Sequence, residues 1–203
     1  MEDKNLRIKL CYKKKYTIAD YEKDKKEGNR KGMAEFIYER FNERYIEPFD
    51  AVKDKKKKKN GFSLMAISCL MIEALETFWQ GLEDSSEKEN GEKIWGGDFF
   101  EAFFSHCDEL KEFEGFGKKF YKHIRCGILH QAETTGGWKI SRKEEILLLD
   151  KATRTINATK FFNQLKKYLE SYRTELETKE LNSDIWIKFN IKMEATINNC
   201  VVG

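Results

Sequence analysis

Apolar residues recur at three- and four-residue intervals through most of this chain, and that spacing predicts a series of amphipathic helices. Over 29–45 the apolar positions are Met33, Phe36, Ile37, Phe41 and Tyr45, a helix that Pro48 is expected to stop. The stretch 62–82 differs, because its first turns are apolar nearly all round, with Leu64, Met65, Ala66, Ile67, Cys69, Leu70, Met71 and Ile72. Such a helix belongs at the centre of a bundle. Residues 83–92 are acidic, carry Ser and Asn and run to Gly91, which reads as a loop. Shorter aromatic helices are expected over 99–107 and 117–129. Trp138-Lys139-Ile140 and Ile146-Leu147-Leu148-Leu149 then flank a charged turn, so 138–157 reads as a small β-hairpin or an extended excursion. Strong helix resumes over 159–178, with Phe161, Leu165, Tyr168, Leu169, Tyr172 and Leu176 on one side, and a last helix over 184–197 is expected to cap the bundle.

Composition sharpens this picture. A single proline and 36% charged residues fit long solvated helices better than sheet, and 203 residues suffice for one real core. The expectation is a mainly α fold forming one domain over 1–203, with its core at about 30–180 and a basic N-terminal segment and the C-terminal helix as extensions. Cys11, Cys69, Cys107, Cys126 and Cys200 are odd in number, scattered and without a Cys-x-x-Cys pair, so neither a disulfide framework nor a zinc site is indicated. Reduced thiols and a cytoplasmic location are expected. The N-terminus shows Glu2, Asp3, Lys4 and Arg7 before any apolar run, which is no secretory signal, and the run 62–72 is too short to span a bilayer. No membrane association and no cofactor are expected.

The chemistry concentrates in Arg125-Cys126-Gly127-Ile128-Leu129-His130. Arg125 offers phosphate oxygens a planar fork of donors and keeps its charge, while His130 can take up or release a proton near neutral pH. Those two functions are what attack by an RNA 2′-hydroxyl on its own phosphate needs. On a regular helix the two positions lie ~7.5 Å apart along the axis and ~140° apart around it, so they do not share a face. Joint action then requires that the helix end or distort near Gly127, that the long Arg side chain curl round, or that a two-fold dimer pool two pairs in one cleft. The alternative is an amphipathic helix with an incidental charge and a core histidine, a common origin of such pairs.

The run from Phe120 to Gln131 resembles the motif of the HEPN superfamily, in which Arg is followed after four to six residues by His. The resemblance covers about residues 30–180. It implies a helical bundle of HEPN type and a metal-independent endoribonuclease cutting single-stranded RNA, of the kind found in toxin–antitoxin pairs and anti-phage defence. Arg125 and His130 would be catalytic, with Cys126, Gln131 and Glu73 in support. Partners would be RNA, a second copy of the chain in a homodimer, and a cognate antitoxin or regulator. The chain departs from the family where Cys126 replaces the polar Asn or Asp often found after the Arg, and Ala132 excludes the subgroup with Tyr two residues after the His. A non-catalytic HEPN-like module that binds RNA, a nucleotide or a protein is the competing reading, and a purely structural helical domain a third.

Other residues add less. Glu73 and Glu76 interrupt the apolar helix. Glu73 is expected to orient the Arg125 guanidinium, because carboxylates seldom bury unpaired, whereas Glu76 reads as the turn to an exposed half. Lys55, Lys56, Lys57, Lys58 and Lys59 lie just before that helix and could collect RNA phosphates, or simply keep a loop solvated; a net charge of +3 settles neither. His123 and His130 are too far apart along a helix to share one metal ion, and His106-Cys107 lacks a completing cluster, so no metal is expected. His123 reads as an exposed or interfacial neighbour.

Overall fold

In the computed structural model, residues 5–50, 60–85, 88–89, 92–93 and 96–201 are described, and among them the fold is mainly α with short strands. Helix α1 (Ile18–Glu27) opens with a capping box between Thr17 and Asp20 and closes on Gly28 in the left-handed region. Helix α2 (residues 30–50) comes next, then α3 (Gly61–Gln80), α4 (Gly96–His106), a 3-10 turn (Asp108–Phe113), α5 (residues 117–131), α6 (Ala158–Thr178) and α7 (Asp184–Cys200). Pro48 does not stop α2 as expected. The helix passes through it to Asp50 by widening into a π turn at Asn42–Ile46, which accommodates the residue that brings no amide donor.

The strands are few. β1 (Lys9–Cys11) pairs with β2 (Tyr16–Thr17), and β3 (Lys88–Glu89) pairs antiparallel with β4 (Glu92–Lys93) in the region expected to be loop. The excursion after α5 is a three-stranded sheet ordered β5 (Lys139–Ser141), β7 (Thr155–Asn157), β6 (Leu149–Asp150). The two apolar runs expected to face each other do not pair. Each lies against β7, β5 in parallel and β6 antiparallel.

The chain divides into two compact units. The first draws on Met1–Ala51, Thr77–Asp84 and Leu169–Gly203. The terminal segments are part of its core: Leu10, Cys11, Ile18, Tyr21, Trp186 and Phe189 are all buried, and the Tyr21 hydroxyl donates to Asn190 Oδ1 at 3.1 Å. The second unit, Val52–Glu76 and Ser85–Tyr168, carries the motif. Its core is a nest of rings in which Phe120 stacks on Phe161 at 5.4 Å and on Phe100 at 5.5 Å, while Phe113 meets Phe161 edge-on at 5.1 Å. Aromatic pairs of this kind add about 0.5–1.5 kcal/mol each beyond the area they bury, which holds α5 firmly where the motif begins.

Helix α3 is the one described helix long and apolar enough to cross a membrane by length and composition, and 56% of its apolar window is buried inside the protein.

Candidate functional site

Helix α5 is not regular. It starts as α over Gly117–Phe120, widens to a π turn over Tyr121–Arg125, and returns to α over Cys126–Gln131. A π turn holds one extra residue, which rotates the preceding turn by about 100° relative to the turn after it. His123 and His130, which a regular helix would align, therefore part company. The His123 ring turns to the segment after the helix, where Nδ1 lies 2.9 Å from Thr135 Oγ1.

The helix ends one residue after His130 because Ala132 adopts the left-handed conformation, φ 55°, and its amide donates to the Gly127 carbonyl. The chain then folds back across Gly127. A Cβ there would lie 2.5 Å from the Glu133 carbonyl oxygen, so only glycine permits this approach.

Arg125 sits at the end of the π turn with its side chain one-fifth exposed. Its Nε donates to Glu73 Oε1 at 2.8 Å and its Nη2 to Glu73 Oε2 at 3.4 Å, a side-on pairing of fork and carboxylate. Tyr121, one turn earlier, places its ring 5.4 Å from the Arg125 Cζ. Burial works against the Arg125 charge, but the hydrogen bonds and attraction of Glu73 outweigh it and raise the guanidinium above its ordinary value. The third nitrogen is directed elsewhere. Arg125 Nη1 lies 3.5 Å from His130 Nε2, and His130 itself is exposed. A guanidinium only donates, so this long contact is a hydrogen bond only with Nε2 as acceptor. In the tautomer that accepts it, the ring proton is on Nδ1 and the Nε2 lone pair faces the fixed cation.

The structure thus brings Arg125, His130 and Glu73 together within one chain, through the reach of the Arg side chain. Cys126 is half-buried next to Arg125; burial and then a hydrogen bond to its thiol raise the Tyr121 hydroxyl. Gln131 is exposed at the last position of α5. Lys55 to Lys59 lie outside the described residues.

Two features were not anticipated. Glu76 is fully buried rather than at an exposed turn, because His106 Nε2 meets its carboxylate at 2.8 Å and supplies the partner that burial demands. Tyr121 was missed as a neighbour of the guanidinium, although its position four residues before Arg125 is the spacing at which helical side chains meet. Among the described residues no group of three or more His, Cys, Asp or Glu side chains could hold a metal ion. No family model, no curated protein and no solved structure matches this chain.

Proposed function

We propose that the protein is a metal-independent endoribonuclease of HEPN type. The observation that carries this reading is the contact of Arg125 Nη1 with His130 Nε2 at 3.5 Å, with Glu73 holding the opposite edge of the guanidinium. In this reaction the substrate phosphate replaces His130 as the partner of Arg125 Nη1, His130 Nε2 takes the proton of an RNA 2′-hydroxyl, the 2′-oxygen bonds to phosphorus, and the bond to the 5′-oxygen breaks. The imidazolium returns its proton to the leaving 5′-oxygen, and a 2′,3′-cyclic phosphate remains. Arg125 holds the phosphate and stabilises the charge that builds on its oxygens. Glu73 touches no substrate and acts by positioning.

The proposal includes RNA as substrate, a homodimer as the working assembly, a cytoplasmic location, and a role in growth arrest or phage defence under a cognate antitoxin or regulator. Its test is cleavage of single-stranded RNA in EDTA. Wild type should leave cyclic phosphate ends and spare DNA, while Arg125→Ala and His130→Ala should lose activity. A requirement for added magnesium, or undiminished cleavage by His130→Ala, refutes the mechanism.

A further inference from the structure

A second feature of the motif-bearing unit opens where the sheet meets α5. Parallel pairing of Lys139 with Thr155 sets Trp138 beside Arg154, and the Lys139 amide donates to the Arg154 carbonyl at 2.8 Å. Gly136 and Gly137 both have positive φ, 63° and 75°, and turn the chain back from Thr135 to Trp138. A Cβ on Gly136 would lie 2.7 Å from the His123 ring, so the glycine also keeps space for the imidazole. The result is a cleft of about 500 Å³ lined by Phe116, Lys119, His123, Trp138, Lys151 and Arg154 together with Gly115 and Gly136.

Four properties of this cleft converge on one ligand chemistry. Lys119, Lys151 and Arg154 give it three cations, and no carboxylate is among its lining residues. Trp138, half-buried and 4.7 Å from Phe116, offers an aromatic ring held in place. Arg154 has a left-handed backbone, φ 53°, while its Nη1 donates to the Gly136 carbonyl at 2.7 Å. A non-glycine residue in that region costs on the order of 1–3 kcal/mol and persists where its surroundings impose it, often at ligand clamps. The His123 imidazole is disfavoured as a cation by burial first and then by Lys122, Arg154 and Lys119, so the site offers a neutral ring among cations.

We propose that this cleft binds a nucleotide unit, with the base against Trp138 and the phosphate held by Lys119, Lys151 and Arg154. Cations draw in the phosphate without reading sequence, and an aromatic side chain accepts any base. The volume falls within the range of small-ligand sites. Neither Arg125 nor His130 is among the residues that line this cleft. The nucleotide unit is either free or part of a single RNA strand.

Calorimetric titration of the Arg125→Ala/His130→Ala protein separates these sources and keeps cleavage out of the measurement. The probes are AMP, adenosine, inorganic phosphate and a 2′-O-methyl adenylate hexamer. AMP is expected to bind more tightly than adenosine or phosphate alone if free nucleotide is the ligand, and only the hexamer to bind if a strand is. Either result supports the site, provided that Trp138→Leu weakens binding by roughly 5- to 150-fold and Trp138→Phe largely restores it. Lys119→Glu with Lys151→Glu, both exposed and so tolerant of charge reversal, should weaken binding and flatten its salt dependence. Arg154→Gly should lose affinity while thermal stability holds or rises, since glycine is at ease at that φ. Binding of neither AMP nor the hexamer, or binding that these variants leave unchanged, overturns the proposal, whether or not the wild type cleaves RNA.

Discussion

Replacing Glu73 with Ala tests how the candidate site is held. The substitution removes the acceptor of the 2.8 Å Nε bond and of the longer 3.4 Å Nη2 contact. A hydrogen bond to a charged group contributes about 1.5–3 kcal/mol, and breaking a fully buried ion pair on one side costs about 3–5 kcal/mol. Here both side chains keep some solvent, 20% for Arg125 and 18% for Glu73, and the Tyr121 ring still faces the guanidinium. The cost therefore falls toward the lower range, about 2 kcal/mol. For a chain of this size that lowers Tm by about 4–8 °C. Glu73→Gln, which keeps one acceptor and loses the charge, should lose roughly half as much. In cleavage assays at a temperature where each variant is folded, Glu73→Ala should lower kcat by about 10- to 100-fold, because a small misplacement of the guanidinium weakens a geometry the transition state depends on. KM should move little. A double-mutant cycle with Arg125→Ala, read by denaturant unfolding, should give a coupling of about 1–2 kcal/mol. Full kcat in Glu73→Ala, or a coupling indistinguishable from zero, refutes the positioning role.

Ala132→Gly should stabilise the protein by about 0.5–1 kcal/mol, because it relieves a left-handed alanine at the end of the motif helix; a Tm that falls on scanning calorimetry contradicts this. Mixing Arg125→Ala with His130→Ala protein should restore no RNA cleavage, since each chain must supply both members of its own pair. Activity recovered on mixing would mean that the pair is completed between two copies.

How much of this was legible in the sequence depended on the range over which each feature is encoded. Helices α3, α5, α6 and α7 were readable to within a few residues, because a buried helix face recurs at short, regular intervals. The sheet was not readable in detail. Its strands have two or three residues each, and β5 finds its parallel partner β7 only after an intervening segment, so local alternation says nothing about which pairs with which. Strands β3 and β4 consist of Lys88, Glu89, Glu92 and Lys93, with no apolar alternation to betray them. Glu76 was misread for a related reason. Its polarity marked an exposed turn in sequence, while the histidine that makes its burial tolerable stands thirty residues later.

The motif itself illustrates the difference between residue identity and geometry. Arg125 and His130 stand out as residue types, yet a regular helix places them apart, and that separation was the geometric reason for expecting a distorted helix, a curled Arg side chain or a second copy of the chain. The folded chain joins the pair through the reach of the Arg125 side chain, and three local features frame that contact. Its π turn ends at Arg125, so the residues before the motif face elsewhere; the left-handed Ala132 ends the helix just beyond His130; and Glu73 fixes one edge of the guanidinium, leaving Nη1 free to reach the imidazole. None of the three is written at the Arg or the His. The π turn has no residue signature of its own, Ala132 is not the glycine or asparagine that usually marks a left-handed cap, and Glu73 lies 52 residues away. A homodimer must therefore be justified by what it adds to substrate binding or regulation, because assembling the Arg–His pair does not demand one.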